Sequence, residues 1–117
     1  MEGTEPSFDK WKSQNRKGFL ELCLLSLLDR KGEAYGLDLQ ESLGRAGIEI
    51  AEGTLYPILM RMTKEGSLEA EWETPERGHP RKYYRLSEPG KKLLAAMRDE
   101  YESAYAAYRS ISAERSE

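Results

Sequence analysis

The spacing of apolar residues changes period at Gly66, and few folds accommodate such a change in so short a chain. Before it, apolar residues recur at helical intervals: Leu39 and Leu43 in one segment, then Leu55, Ile58, Leu59 and Met62 in the next. After it they alternate. Leu68, Ala70 and Trp72 interleave with Glu69, Glu71 and Glu73, and Lys82, Tyr84 and Leu86 interleave with Arg81, Tyr83 and Arg85. A period of two belongs to a strand with one face on a core. The joining segment, Thr74-Pro75-Glu76-Arg77-Gly78-His79-Pro80, is rich in turn formers, so the strands should form a hairpin. From Ser87 the helical period returns. The expected fold is mainly α with a small β-hairpin, a winged helix-turn-helix followed by one more helix.

From Gly18 onward, Phe19, Leu20, Leu22, Cys23, Leu24, Leu25, Leu27 and Leu28 cover most of a helical circumference, which predicts a first helix packed on several sides and closed by Lys31-Gly32. The second helix is expected from about Tyr35 to Leu43, with Gly44 and Gly47 as stop signals. The third should start near Glu52 and end at Gly66, with Pro57 distorting it past its first turn. Its polar face presents Thr54, Tyr56, Arg61 and Lys64. Ser87 is the expected N-cap of a last helix reaching about Ile111. There Leu94, Met97, Tyr101, Ala104, Tyr108 and Ile111 alternate three and four residues apart, the repeat of a helix seam. Such a helix is longer than a small domain needs to cover, so a homodimer is the preferred reading, with packing on its own domain as the other. The expected organisation is a mobile acidic tail over 1–10, the winged helix-turn-helix over 11–87, a dimerisation helix over 88–112 and a tail over 113–117.

At 117 residues with 38% hydrophobic and 33% charged, the chain suits a single domain. Its longest apolar stretch, Phe19 to Leu28, is interrupted by Glu21 and Ser26 and is too short for a bilayer, so a cytoplasmic protein with no membrane partner is expected. One cysteine, Cys23, and one histidine, His79, give no spacing for a disulfide or a zinc site, and no cofactor or catalytic constellation can be assembled. The formal charge is −3, but it is unevenly spread. Lys10, Lys12, Arg16 and Lys17 face no acid within 10–17, whereas 32–52 sets Glu33, Asp38, Glu41, Glu49 and Glu52 against Arg45. Arg77, Arg81, Lys82, Arg85, Lys91 and Lys92 face only Glu88. One basic face on an acidic remainder suits double-stranded DNA. A winged-helix protein-interaction module is the alternative.

Five segments then converge: Arg16-Lys17-Gly18, Ala34-Tyr35-Gly36-Leu37, Gly53-Thr54-Leu55-Tyr56-Pro57, Lys64-Glu65-Gly66 and Arg81 through Gly90. In this order and spacing they resemble the motif blocks of PadR-family transcriptional regulators, over residues 16 to 94. The single C-terminal helix resembles the family's smaller subgroup. The resemblance implies a homodimer on a pseudo-palindromic operator, usually a repressor relieved by a small, often aromatic or cationic, molecule. It also places Tyr35 on the DNA backbone, Gly53, Thr54 and Tyr56 in or beside the major groove, and the wing tip on the minor-groove side. Where the family often has Ser-Pro, this chain has Ala51-Glu52, which removes a helix cap and puts an acid near the groove.

Lys17, Arg61, Lys64, Arg77, His79 and Lys82 complete the candidate DNA contacts. Two readings stay open for several of these side chains. Arg81 and Arg85 suit cross-strand pairing with the wing glutamates as well as phosphate contact. Tyr56 suits a half-buried surface aromatic as well as a DNA contact. Trp11, Tyr101, Tyr105 and Tyr108 suit either plain dimer packing or an aromatic-lined cavity between subunits for a small planar aromatic effector. Cys23 reads as packing.

Overall fold

Leu20, Leu24, Leu25 and Leu28 recur at three- and four-residue spacing, so a helix gathers them on one side, where all four are buried. The computed structural model describes residues 5–113. The element order is α1 (Pro6–Lys31), β1 (Ala34–Tyr35), α2 (Gly36–Arg45), α3 (Glu52–Lys64), β2 (Leu68–Glu73), β3 (Arg81–Leu86) and α4 (Glu88–Ala113). Leu24, Leu25 and Leu28 of α1 share one core with Leu39 and Leu43 of α2, Leu55, Leu59 and Met62 of α3, Ala34, Leu68, Tyr84 and Leu86 of the strands, and Leu94 of α4.

Local chemistry sets the helix ends. The Tyr35 backbone N–H donates to Asp38 Oδ2 at 3.2 Å, fixing the entry to α2. The turn between α2 and α3 is closed by Ile48 N donating to the Leu43 carbonyl at 2.8 Å and by Gln40 Nε2 donating to the Ile50 carbonyl at 2.9 Å. The start of α3 has no side-chain cap, as Ala51 implies.

The strands order β1-β3-β2, all antiparallel. The hairpin register sets Leu68 opposite Leu86, Ala70 opposite Tyr84 and Trp72 opposite Lys82 on one face. On the other face Glu69 meets Arg85, Glu71 meets Tyr83 and Glu73 meets Arg81. Burial fades along β2, from Leu68 in the core to Trp72, which is 64% exposed, because the hairpin base rests on α1 and its tip overhangs.

The structure corrects three expectations. Residues 6–10, read as part of a mobile tail, are the first turns of α1, which Pro6 opens at a position where its missing N–H is not needed. The sheet has a third strand: Ala34 and Tyr35 pair with Tyr84 and Tyr83, too brief a stretch for a period to register. Leu94, read as the first seam residue of a dimer, is 2% exposed in the domain's own core, and Met97 packs half-buried beside it. Ala113 belongs to α4, while 1–4 and 114–117 lie outside the described residues. From Arg98 to Ala113 every residue of α4 is exposed. No helix among the described residues is long and apolar enough to cross a membrane.

The start of α4 is tied to the turn after α3. Ser87 N donates to the Ser67 carbonyl at 3.1 Å, Ser87 Oγ accepts from Gly90 N at 3.0 Å, and the same hydroxyl donates to the Gly66 carbonyl. Ser87 is thus the N-cap that the sequence predicts. A Cβ on Gly90 would lie 2.0 Å from the Ser67 carbonyl oxygen, so only glycine lets α4 approach this closely. Gly90→Ala should therefore destabilise the domain by about 1–3 kcal/mol, the range for forcing extra volume into a packed site. Ser87→Ala should cost about 1 kcal/mol through the lost cap. Thermal or denaturant melting of both variants measures this, and a Gly90→Ala protein as stable as the parent would contradict the close approach.

Candidate nucleic-acid interface

Burying Leu55, Leu59 and Met62 turns the opposite side of α3 to solvent, leaving Glu52, Gly53, Thr54, Pro57, Met60, Arg61 and Lys64 exposed. A cleft runs along each flank of this helix. The first, about 430 Å³, lies between α1 and α3 and is lined by Lys12, Arg16 and Lys17 together with Asp9, Thr54 and Ile58. The second, about 520 Å³, lies between the start of α2, α3 and the wing, lined by Tyr35, Leu37, Tyr56, Met60, Trp72, Arg81 and Lys82 among others. An exposed helix thus stands between two sets of cations, the arrangement a helix needs to enter a groove between two phosphate backbones.

Tyr56 braces the two helices of this unit. A Cβ on Gly36 would fall 2.5–2.8 Å from the Tyr56 hydroxyl and the ring carbons next to it, so the phenol lies directly on the glycine backbone at the start of α2. Burial, and then the nearby Glu52 carboxylate, push the Tyr56 phenol above its ordinary value. Of the two readings left open for Tyr56, the half-buried one describes its ring in the free protein.

Arg61, expected as a free cation on the polar face of α3, is held instead by Glu21 of α1 and, at 3.2 Å, by Glu65. The hydrogen bond to Glu21 raises its already high pKa. The arginine thus ties α3 to α1. Lys64, the last residue of α3, is exposed at the end of that face.

The wing carries the cross-strand pairs that its alternation predicts. Arg81 meets Glu73 at 3.3 Å, and Arg85 meets Glu69 at 3.1 Å and Glu71 at 3.0 Å. Tyr35 donates its hydroxyl to Glu73, and the Arg81 guanidinium sits 4.2 Å from the Tyr35 ring centroid. Hydrogen bonding to Glu73 holds the Tyr35 phenol above its ordinary range. Lys82 lies on the other face, 5.6 Å from the Trp72 ring and 5.9 Å from Tyr84. Arg77 and His79 are exposed at the tip.

Outside this face, the aromatic candidates fall into separate pairs within one chain. Trp11 stacks on Phe8 at 6.0 Å, Tyr101 packs on Phe19 at 5.9 Å, and Tyr105 lies 6.0 Å from Tyr108. Tyr101 and Ala104 line a cleft of about 420 Å³ between α1 and α4, whereas Tyr105, Tyr108 and Ile111 project from the exposed half of α4. Cys23 is half-buried and burial pushes its thiol up, the opposite of activation. Among the described residues no three potential metal ligands gather.

Lys12, Arg16, Leu37, Met60 and Trp72 were not singled out as site residues in the sequence. Lys12 and Arg16 stand one helical turn apart beside Lys17, a signal hidden by starting the first helix at Gly18. Trp72 reads as core by its period and becomes surface because the wing overhangs the core, whereas Leu37 and Met60 lie off the buried stripes of α2 and α3 and carry no sequence signal for a site.

A helix-turn-helix whose second helix is flanked by basic clefts and a wing defines a winged-helix DNA-binding protein. A family model, the PadR-like family of transcriptional regulators, matches residues 24–96, and the chain belongs to that family. It is similar to the crystal structure of a PadR-like transcription factor from Bacteroides fragilis, 37% identical with a TM-score of 0.77, over 87% of this chain and 98% of that one. A PadR-family transcriptional regulator from Eggerthella lenta is 31% identical with a TM-score of 0.77, over 92% of this chain and 96% of that one. The transcriptional regulator Rv3488 of Mycobacterium tuberculosis is 36% identical over 62 residues, 53% of this chain and 57% of its own length. The protein is accordingly a transcriptional regulator, not an enzyme.

The Arg85 and Tyr83 hydrogen bonds hold the Glu71 carboxyl below its ordinary value of 4.5. A carboxyl depressed on folding lends stability above its unfolded pKa and loses it as pH falls through the folded one. Following the Glu71 carboxyl by NMR should give a midpoint under 4.5, and Arg85→Gln should move it back up. An unchanged midpoint would mean that the pair does not form in solution.

Proposed function

We propose that the protein is a homodimeric repressor that binds a pseudo-palindromic operator in the cytoplasm, with α3 of each subunit in the major groove. The observation that carries this reading is the pair of basic clefts on either side of the exposed face of α3. In it Lys17, Lys64, Arg77, Arg81 and Lys82 neutralise phosphates, Tyr35 rests on the backbone, and His79 lies beside the minor groove at the wing tip. Gly53, Thr54 and the edge of Tyr56 face the base pairs. Arg61 acts as a brace for α3 and leaves its pairing only if a phosphate replaces a carboxylate. Because Glu73 already engages Arg81 and Tyr35, docking the wing exchanges an intramolecular partner for a phosphate.

The second copy is assigned to the exposed half of α4. Met97, Tyr101, Ala104, Tyr108 and Ile111 continue one stripe along that helix, and the last four are exposed. Pairing there would set two recognition helices on one face of the duplex. It would also cover the cleft between α1 and α4, where a small planar aromatic effector has Tyr101 for a wall and Trp11, Tyr105 and Tyr108 within the partner's reach.

Selection of bound duplexes from a random pool, with the mass in solution recorded alongside, tests the reading. The expected outcome is an enriched palindrome and a dimeric mass. Lys17→Ala and Arg77→Ala should weaken specific and random DNA by the same factor, each lowering the salt slope of log K by about one. Thr54→Ala should instead alter operator preference. Failure to enrich any duplex at low salt would sink the proposal in favour of a protein-interaction module.

A further inference from the structure

We infer that Met60, with Leu37 beside it, reads thymine methyl groups in the operator. The inference rests on the DNA-binding reading above and adds what the recognition helix recognises. Gly53, Pro57, Met60 and Lys64 fall within about 60° of one another around α3 at the usual turn per residue. This stripe is the outermost line of the helix, diametrically away from buried Leu55, Leu59 and Met62. Its centre has no hydrogen-bonding side chain. Glycine contributes only backbone, proline only a ring, and Met60, 62% exposed, a flexible thioether. Arg61, which lies next to the stripe, is occupied by Glu21 and Glu65. None of α3's exposed residues is an asparagine or glutamine, its one arginine is paired with Glu21 and Glu65, and Lys64 stands at the last residue of the helix, so the side chains that make bidentate contacts to adenine or guanine are absent from the centre of the face.

The remaining way for a side chain to tell base pairs apart in the major groove is apolar contact, and the apolar group displayed there is the C5-methyl of thymine. Met60 and Leu37, the latter 54% exposed in the first turn of α2, line the same cleft, with exposed Trp72 on its wing side. Lys12, Arg16 and Lys17 on one side and Arg81 and Lys82 on the other supply the charge complementarity that selects a nucleic acid as occupant. The small profiles of Gly53 and Pro57 allow the close approach that puts the Met60 side chain at base edges. Sequence recognition by this protein is therefore methyl-dependent at its centre, with Lys64 at one end of the stripe and Thr54 flanking the other.

The test starts from the duplex enriched in selection. Each thymine of one half-site is replaced in turn by deoxyuridine, which removes the methyl and leaves the base pairing intact, and affinity is measured at fixed salt. At least one replacement should weaken binding about four-fold, the factor for one methyl group taken out of apolar contact. In Met60→Ala or Leu37→Ala, the same replacement should cost almost nothing, while affinity for random DNA and the salt slope stay at the parent's values. Both side chains are largely exposed, so both variants should melt with the parent. An enriched operator whose deoxyuridine forms all bind like the thymine form, or whose loss persists unchanged in both variants, overturns the inference and leaves the DNA-binding reading standing. No enriched duplex at all overturns both.

Discussion

Leu24, Leu25 and Leu28 of α1 form the contact on which the other elements depend. Fully buried, they share one cluster with side chains from α2, α3, each strand and α4. Burying a leucine contributes about 1.5–3 kcal/mol, and no other helix of this chain offers three at such density. The remaining elements are amphipathic and have one apolar face to hide. Each finds it against α1 or against a neighbour already seated there. The direction in which α3 points its exposed face follows from this, because its Leu55, Leu59 and Met62 stripe must turn inward.

Close backbone approaches refine that arrangement. The Tyr56 ring on Gly36 sets how α2 meets α3, and Gly90 against the Ser67 carbonyl sets how α4 leaves the sheet. Each joins two segments far apart in sequence, so the geometry of the helix-turn-helix and the exit of α4 are controlled by contacts rather than by turn propensity. The second matters for assembly. It directs α4 across α1, where Arg98 reaches Asp29 at 3.5 Å and Tyr101 reaches Phe19, before the helix runs on into solvent.

Charge is organised on the same frame. A protein of net charge −3 still presents cations beside its recognition helix, because α1 carries Lys12, Arg16 and Lys17 to one side and β3 carries Arg81 and Lys82 to the other. The glutamates of β2 pair with wing arginines and keep their outer face from being strongly basic in the free protein. Exposed pairs of this kind lend little stability. They leave the arginines able to change partners.

The order of elements was legible in the chain, since the helical period, its change at Gly66 and its return after Ser87 are written in the positions of a few leucines and alternating glutamates. So were the wing pairs, because opposed charges at period two have one sensible register, and so was the cap at Ser87. The five motif blocks carried the family. What the chain did not disclose has a common cause: periodicity says that a residue faces something, and not what it faces. Leu94 obeys the seam repeat yet is covered by its own domain, and Tyr101 seven residues later is not. Trp72 has the spacing of a core residue and ends on the surface, because the hairpin extends past the core that α1 can cover. Arg61 looks free until α1 brings Glu21 alongside it. Residue spacing alone determined which helices and strands form and in what order; only the tertiary structure decided which apolar and charged side chains are satisfied within the chain and which are left for a partner, because that depends on where the limited surface of one buried helix runs out.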